Sequence, residues 1–172
     1  MKKLGSMVGL KHAAVLAAAL ALGACAKNPT DMAGLDGRGG AGVGVAGSAT
    51  PGSSQDFAVN VGDRVFFDSD SSQLSATAQA TLDKQAAWLS RYASYNFTVE
   101  GHADERGTRE YNFALGARRA QATKDYLVSR GVAASRIKTI SYGKERPVAV
   151  CDDISCWSQN RRAVTALHGG QS

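Results

Sequence analysis

One stretch constrains this chain more than any other: residues 99–127, V-E-G-H-A-D-E-R-G-T-R-E-Y-N-F-A-L-G-A-R-R-A-Q-A-T-K-D-Y-L. Phe97 and Val99 are β-formers that alternate with Thr98 and Glu100, so the stretch is entered as a strand. Gly101 stops the strand, and His102 to Gly107 form a polar loop. A long helix begins near Thr108 and ends at Gly131, a residue suited to the left-handed turn that closes a helix. A carboxylate, Asp104, thus leaves the end of a strand, and a guanidinium, Arg119, sits on the next helix. A strand-to-helix crevice with this pair can hold a zwitterion. The acid takes the ammonium, and the arginine takes a carboxylate in a planar fork.

The neighbouring segments fall into one domain, Asp56 to His168. Arg64 to Phe67 reads as strand one, followed by a loop at residues 68–72. Ser75 caps a first helix that reaches about Tyr92, with Ala78, Leu82, Ala86 and Leu89 as one apolar stripe. Strand two covers about Asn96 to Glu100, strand three Arg136 to Tyr142, and strand four Arg161 to Leu167. Residues 143–159 are left as a loop. The order βαβαββ predicts the α/β class as a two-layer α+β arrangement, a mixed four-stranded sheet with helices on one face. Gly116, Ala120, Thr123 and Leu127 are small or apolar at helical spacing and are expected to pack against that sheet.

The residues before the domain have a different character. Lys2, Lys3 and Lys11 precede an apolar run, Ala13 to Leu22, and the leader holds no acid. That run is shorter than the roughly 20 residues a membrane-spanning helix needs, so Met1 to Ala24 reads as a secretory signal. Leu22-Gly23-Ala24-Cys25 resembles a lipobox, which makes Cys25 a lipidated first residue of the mature chain. The alternative is a stray cysteine beside an ordinary cleavage site. Ala26 rather than Asp after that cysteine matches the pattern sent to the outer membrane. Residues 26–55 contain eight glycines and almost no large apolar side chain, so they are expected to form a flexible tether. As a random coil of about 30 residues it would span roughly 30 Å. The formal net charge is +5, and taking away the three leader lysines leaves +2, too little to argue for nucleic acid.

With Cys25 lipidated, Cys151 and Cys156 remain in one loop of an exported domain. A disulfide between them is the natural reading, with free thiols as the alternative. Four residues separate them, which does not match the C-x-x-C of redox catalysts.

The run G-H-A-D-E-R-G-T-x-E-Y-N-x-A-L-G-x-R-R-A, residues 101–120, resembles the peptidoglycan-binding motif of the outer-membrane protein A-like domain family. Its form is close to that of the family's lipoprotein branch, and the similarity covers roughly Val65 to Ala166. Departures are mild: many relatives have Thr where Ala103 stands and Ser where Gly116 stands. The resemblance implies a strand order of 1-4-2-3. It implies that Asp104 and Arg119 grip the ends of diaminopimelate in the stem peptide of peptidoglycan. It also places Asp68 beside the ligand carboxylate, where the plain alternative is a turn aspartate bonding its own loop. Thr108 and Leu115 would line the pocket, and Asn112 would either order the loop or touch the ligand. One of Arg161 and Arg162, with Arg161 the candidate, would gather negative charge. The lipoprotein branch further implies attachment to the outer membrane with the domain in the periplasm. It implies the periplasmic propeller protein of the Tol system as a partner, and a part in cell division.

Other chemistries are poorly supported. His102, Asp104 and Glu105 lack the second set of ligands a metal site needs. No G-x-S-x-G surrounds any serine, and no G-x-x-x-x-G-K-[ST] occurs. Asp104 and Glu105 could be proposed as glycosidase carboxylates, but both come from one loop and Arg119 argues for binding. The chain is therefore expected to be a non-enzymatic binding protein without metal or cofactor beyond the lipid on Cys25. The rivals are a lipoprotein with the same domain and no Tol contact, and a peptidoglycan hydrolase.

Overall fold

Ser75 accepts a hydrogen bond from the Ala78 amide at 3.1 Å and opens α2, Ala76–Arg91. The helix buries the stripe expected of it, Ala78, Leu82, Ala86 and Leu89. Leu82 and Leu89 are wholly enclosed, and each contributes on the order of 1.5–3 kcal/mol by leaving water. The computed structural model describes residues 49–169. The secretory leader, Cys25 and most of the expected tether lie outside the described residues.

The sheet is built from β1 (Arg64–Phe66), β2 (Asn96–His102), β3 (Ile137–Gly143) and β4 (Arg162–His168), in the order β1-β4-β2-β3. β2 runs parallel to β3, with Phe97 opposite Ile137, and antiparallel to β4, with Val99 opposite Thr165. The class and the mixed four-stranded sheet are those anticipated. Val65, Phe97, Val99 and Ala163 face α2 and the long helix α3, Arg109–Ser129, and close the core with Leu82, Leu89 and Leu127. Thr108 caps α3 by accepting from the Tyr111 amide at 3.2 Å, and Gly131 follows its end at φ +93°.

Four local readings are corrected. β2 does not stop at Gly101 but runs on to His102, with a register shift between the two. Gly101 is there for closeness: a Cβ on it would overlap the Gly116 carbonyl of α3. Arg136 precedes β3 in a short 3-10 turn, Ala134–Arg136, and donates to the Leu89, Tyr92 and Tyr95 carbonyls. The loop after β3 contains a helix, α4 (Ile154–Asn160), started when Asp153 accepts from the Ser155 amide at 2.7 Å. Arg161 closes α4, so β4 begins at Arg162.

The packed part also begins inside the segment read as tether. Ser53 caps α1 (Ser54–Asp56), which continues as a π-helical turn, Phe57–Gly62. Tyr95 donates to the Gly52 carbonyl at 2.8 Å, Trp88 donates to Asp56 at 2.9 Å, and Phe57 is buried against Trp88. A boundary set by composition at Asp56 leaves Gly52 and Ser53 outside the domain, because the partner of Gly52, Tyr95, lies 43 residues further along the chain.

Candidate binding crevice at Asp104

Asp104 leaves the end of β2 and is 7% exposed. It stands at a cavity of about 220 Å³ lined by Ser69, Asp70, Asp104, Arg106, Leu115 and Arg119, among others. Arg106 donates to Asp104 from Nη2 at 2.7 Å, from Nε at 3.3 Å and from its own amide at 3.2 Å. Arg161 donates to the same carboxylate from Nη1 at 3.3 Å. Burial alone would raise the Asp104 pKa, but the hydrogen bonds from Arg106 and Arg161 outweigh it and hold the acid below its ordinary value.

Arg119 is the largest fully buried side chain of the domain. Its Nε donates to the Ser71 carbonyl at 2.8 Å, Nη1 to the His102 carbonyl at 2.8 Å and Nη2 to the Asp68 carbonyl at 3.0 Å. Burial pushes its pKa down to about 10, which leaves it charged at neutral pH. One guanidinium thus pins the end of β2 to the loop after β1 and forms the crevice floor.

The other expected residues fall as follows. Leu115 is buried and lines the cavity. Asn112 donates to the Arg106 carbonyl at 2.7 Å and so orders the loop. Thr108 is exposed and caps α3 without lining the cavity. Asp68 presents its carbonyl to Arg119 and to the Ser71 amide, while its side chain stays exposed beside a neighbouring cavity of about 380 Å³. Of the two arginines after Asn160, the structure brings Arg161 to the crevice. Arg162 turns to the carbonyls of Asn160 and Arg146. Cys151 and Cys156 are joined as a disulfide with Cα atoms 5.6 Å apart.

Several residues here were not anticipated. Arg106 stands two residues after Asp104, and no pattern of the sequence singles it out from the other exposed arginines. Trp157, on α4, stacks under the Arg106 guanidinium at 4.2 Å and donates to the Glu105 carboxylate. Tyr111 donates to Asp70, which holds φ +55°. A larger cavity, about 600 Å³, lies between Arg109, Phe113, Tyr142 and Lys144. It has no buried charge, so the smaller crevice is the better-built site.

The sheet order, the two packed helices and a buried acid at the strand ends define an α/β domain of the outer-membrane protein A type. The OmpA family matches residues 66–161, more than half of the 172, and the chain belongs to that family. A protein of Rhizobium meliloti (strain 1021) named peptidoglycan-associated lipoprotein is 70% identical over 156 residues, 89% of this chain and 85% of that one. One of the same name from Brucella melitensis biotype 1 is 61% identical over 171 residues, 98% of each chain. The crystal structure of the peptidoglycan-associated lipoprotein from Burkholderia pseudomallei superposes with a TM-score of 0.60 at 40% identity. It covers 62% of this chain and 90% of that one.

Proposed function

We propose that this domain binds the peptide stem of peptidoglycan non-covalently and does no chemistry on it. The carrying observation is the Asp104 crevice. A nearly buried carboxylate there accepts from two guanidiniums, those of Arg106 and Arg161, beside a cavity of about 220 Å³ that a third, Arg119, also lines. The names of the relatives point the same way. The ligand is the distal end of diaminopimelate: its ammonium goes to Asp104 and its carboxylate to the positive side of the crevice. Arg119 builds the floor and supplies part of that potential, and Leu115 packs against the methylene chain. Asn112 lines the wall and orders the loop, Thr108 fixes the start of α3, the Asp68 carbonyl holds Arg119, and Arg161 orients the acid.

With a lipid on Cys25 the domain links the outer membrane to the cell wall from the periplasmic side. A contact with the propeller protein of the Tol system, and through it a part in envelope constriction at division, belongs to the same proposal. It rests on likeness to the lipoprotein branch.

Co-sedimentation with purified sacculi tests the binding, with circular dichroism as the folding control. Asp104→Asn keeps the shape and removes the charge, and it should lower the bound fraction at least tenfold, since a desolvated ammonium is left without its partner. A folded Asp104→Asn protein that sediments like wild type would overturn the assignment of the site, and release of muropeptides by the wild type would overturn the absence of chemistry. Mass spectrometry of the mature N-terminus tests the lipid: an unmodified Cys25 removes the anchor.

A further inference from the structure

β3 is an edge strand. It pairs with β2 on one side, and no other strand of the described residues lies on its other side. Every second residue along its length of seven therefore turns its N–H and C=O to the open edge. Such an edge is a template for one more strand, and folded domains guard theirs with charge, proline, a bulge or a cover. The charge on β3 is Lys138, which is exposed and has no acid partner among the described residues.

The edge opens onto a groove whose walls are fixed. The Ser141 hydroxyl donates to the Phe113 carbonyl at 2.7 Å, and a Cβ on Gly143 would stand 3.0 Å from the Phe113 amide nitrogen. α3 is thereby locked alongside β3, with the Phe113 side chain left 57% exposed. Two cavities, of about 600 and 520 Å³, share Phe113 and Ser141 and follow the edge. Helical spacing keeps this groove apart from the crevice. Asn112, Leu115 and Arg119 line the crevice, whereas Phe113, Ala117 and Gln121 lie on the opposite side of α3. Along β3, Thr139 and Ser141 face the helix, and Ile140, 41% exposed, faces away from it.

The charges of the groove are uneven. Glu110 and Glu145 lie at one end, where Arg109 already pairs with Glu145 at 3.1 Å. The other end is lined by Arg118 and by no acid, and Lys138 adds a second cation on the strand. We propose that this edge and groove take an extended segment of a partner protein, acidic and apolar, as a fifth strand of the sheet. Backbone hydrogen bonds to β3 hold it, and side chains at alternate positions pack on Phe113 and Ala117. Its acids answer Arg118 on the helix side and Lys138 on the other. The lysine that keeps indiscriminate strands away thus selects an acidic one. A second copy of β3 fits less well, because residues 137–143 carry no acid to answer either cation. Since the groove is already formed, the ordering cost falls on the arriving segment and little of it on the domain. A ligand at Asp104 and a strand at β3 can be held together.

The test uses the full chain and phage that display random peptides of about twelve residues, longer than the strand they would pair with. Selection runs on wild type, with counter-selection on the double variant Phe113→Asp, Arg118→Glu. Recovered sequences should alternate apolar with polar residues and carry Asp or Glu more often than Lys or Arg. One of them, synthesised with a fluorophore, is then titrated by anisotropy. Phe113→Ala should weaken it about tenfold, and Arg118→Glu or Lys138→Glu at least as much. N-methylation reads the backbone. Methylating one alternate set of peptide amides should abolish binding, and methylating the other should leave it within about threefold, because one edge of an added strand faces β3 and the other faces water. The variants should stay folded by circular dichroism and should sediment with sacculi as wild type does. Several results overturn the proposal: no sequence that distinguishes wild type from the double variant, an excess of basic sequences, or a peptide that tolerates both methylations. Wild-type dimers in analytical ultracentrifugation that Phe113→Asp dissolves also overturn it, and give the edge to a second copy of the chain.

Discussion

Replacing Arg119 with Met keeps most of the buried stem and removes three charge-assisted bonds, of 2.8, 2.8 and 3.0 Å, to carbonyls of three separate residues. Each such bond contributes roughly 1.5–3 kcal/mol, so their gross loss is about 5–9 kcal/mol. The charge itself costs several kcal/mol to keep out of water, and that cost disappears with it. We expect a net destabilisation of about 3–5 kcal/mol, which compares with about 5–15 kcal/mol for the stability of a whole domain. Urea unfolding followed by circular dichroism should show the midpoint falling by more than about 1 M. Arg119→Lys should recover only part of the loss, because one ammonium cannot reach the Asp68, Ser71 and His102 carbonyls together. The consequence for binding assays is direct: a failure of Arg119→Ala to hold sacculi reports a broken crevice as much as a lost contact. An Arg119→Met protein within about 1 kcal/mol of wild type that no longer binds would refute this reasoning and make Arg119 a ligand residue first.

His102 is 2% exposed, and its ring nitrogens find no hydrogen-bond partner among the described residues. Burial, with Arg162, Arg146 and Arg64 nearby, pushes its pKa from 6.5 to about 4. The unfolded chain therefore binds the extra proton first, and stability should fall by about 3 kcal/mol as pH drops from 6.5 to 4. Urea midpoints across that range should flatten in His102→Gln, and an unchanged slope would refute the shift. Asp104 titrates below its ordinary carboxylate value, so its contribution is lost only at more acidic pH than that of His102. Reduction of Cys151–Cys156 should cost about 2 kcal/mol at most and leave the domain folded, because the bridge closes a short loop outside the core. Thermal melts with and without reductant check this, and unfolding on reduction would contradict it.

Regular periodicity made most of the architecture legible. The stripe Ala78, Leu82, Ala86 and Leu89 belongs to a helix of 16 residues, long enough for its spacing to stand out. The alternation around Phe97 and Val99 likewise marked β2, whose burial alternates with it. α1 and α4 have 3 and 7 residues, too few for any period to repeat. Their support is distant: Phe57 rests on Trp88, and Trp157 reaches back to Glu105 and Arg106. The site divides along the same line. An acid and an arginine can be singled out by residue type, as Asp104 and Arg119 are, but the two do not pair with each other. The partners of Arg119 proved to be carbonyls, which every residue carries, so no pattern of side chains could announce them. The guanidinium that pairs with the acid was instead that of Arg106, two positions away. What separates the two arginines is which of them the backbone has already engaged. That distinction arises only when the loop after β1, the end of β2 and α3 come together.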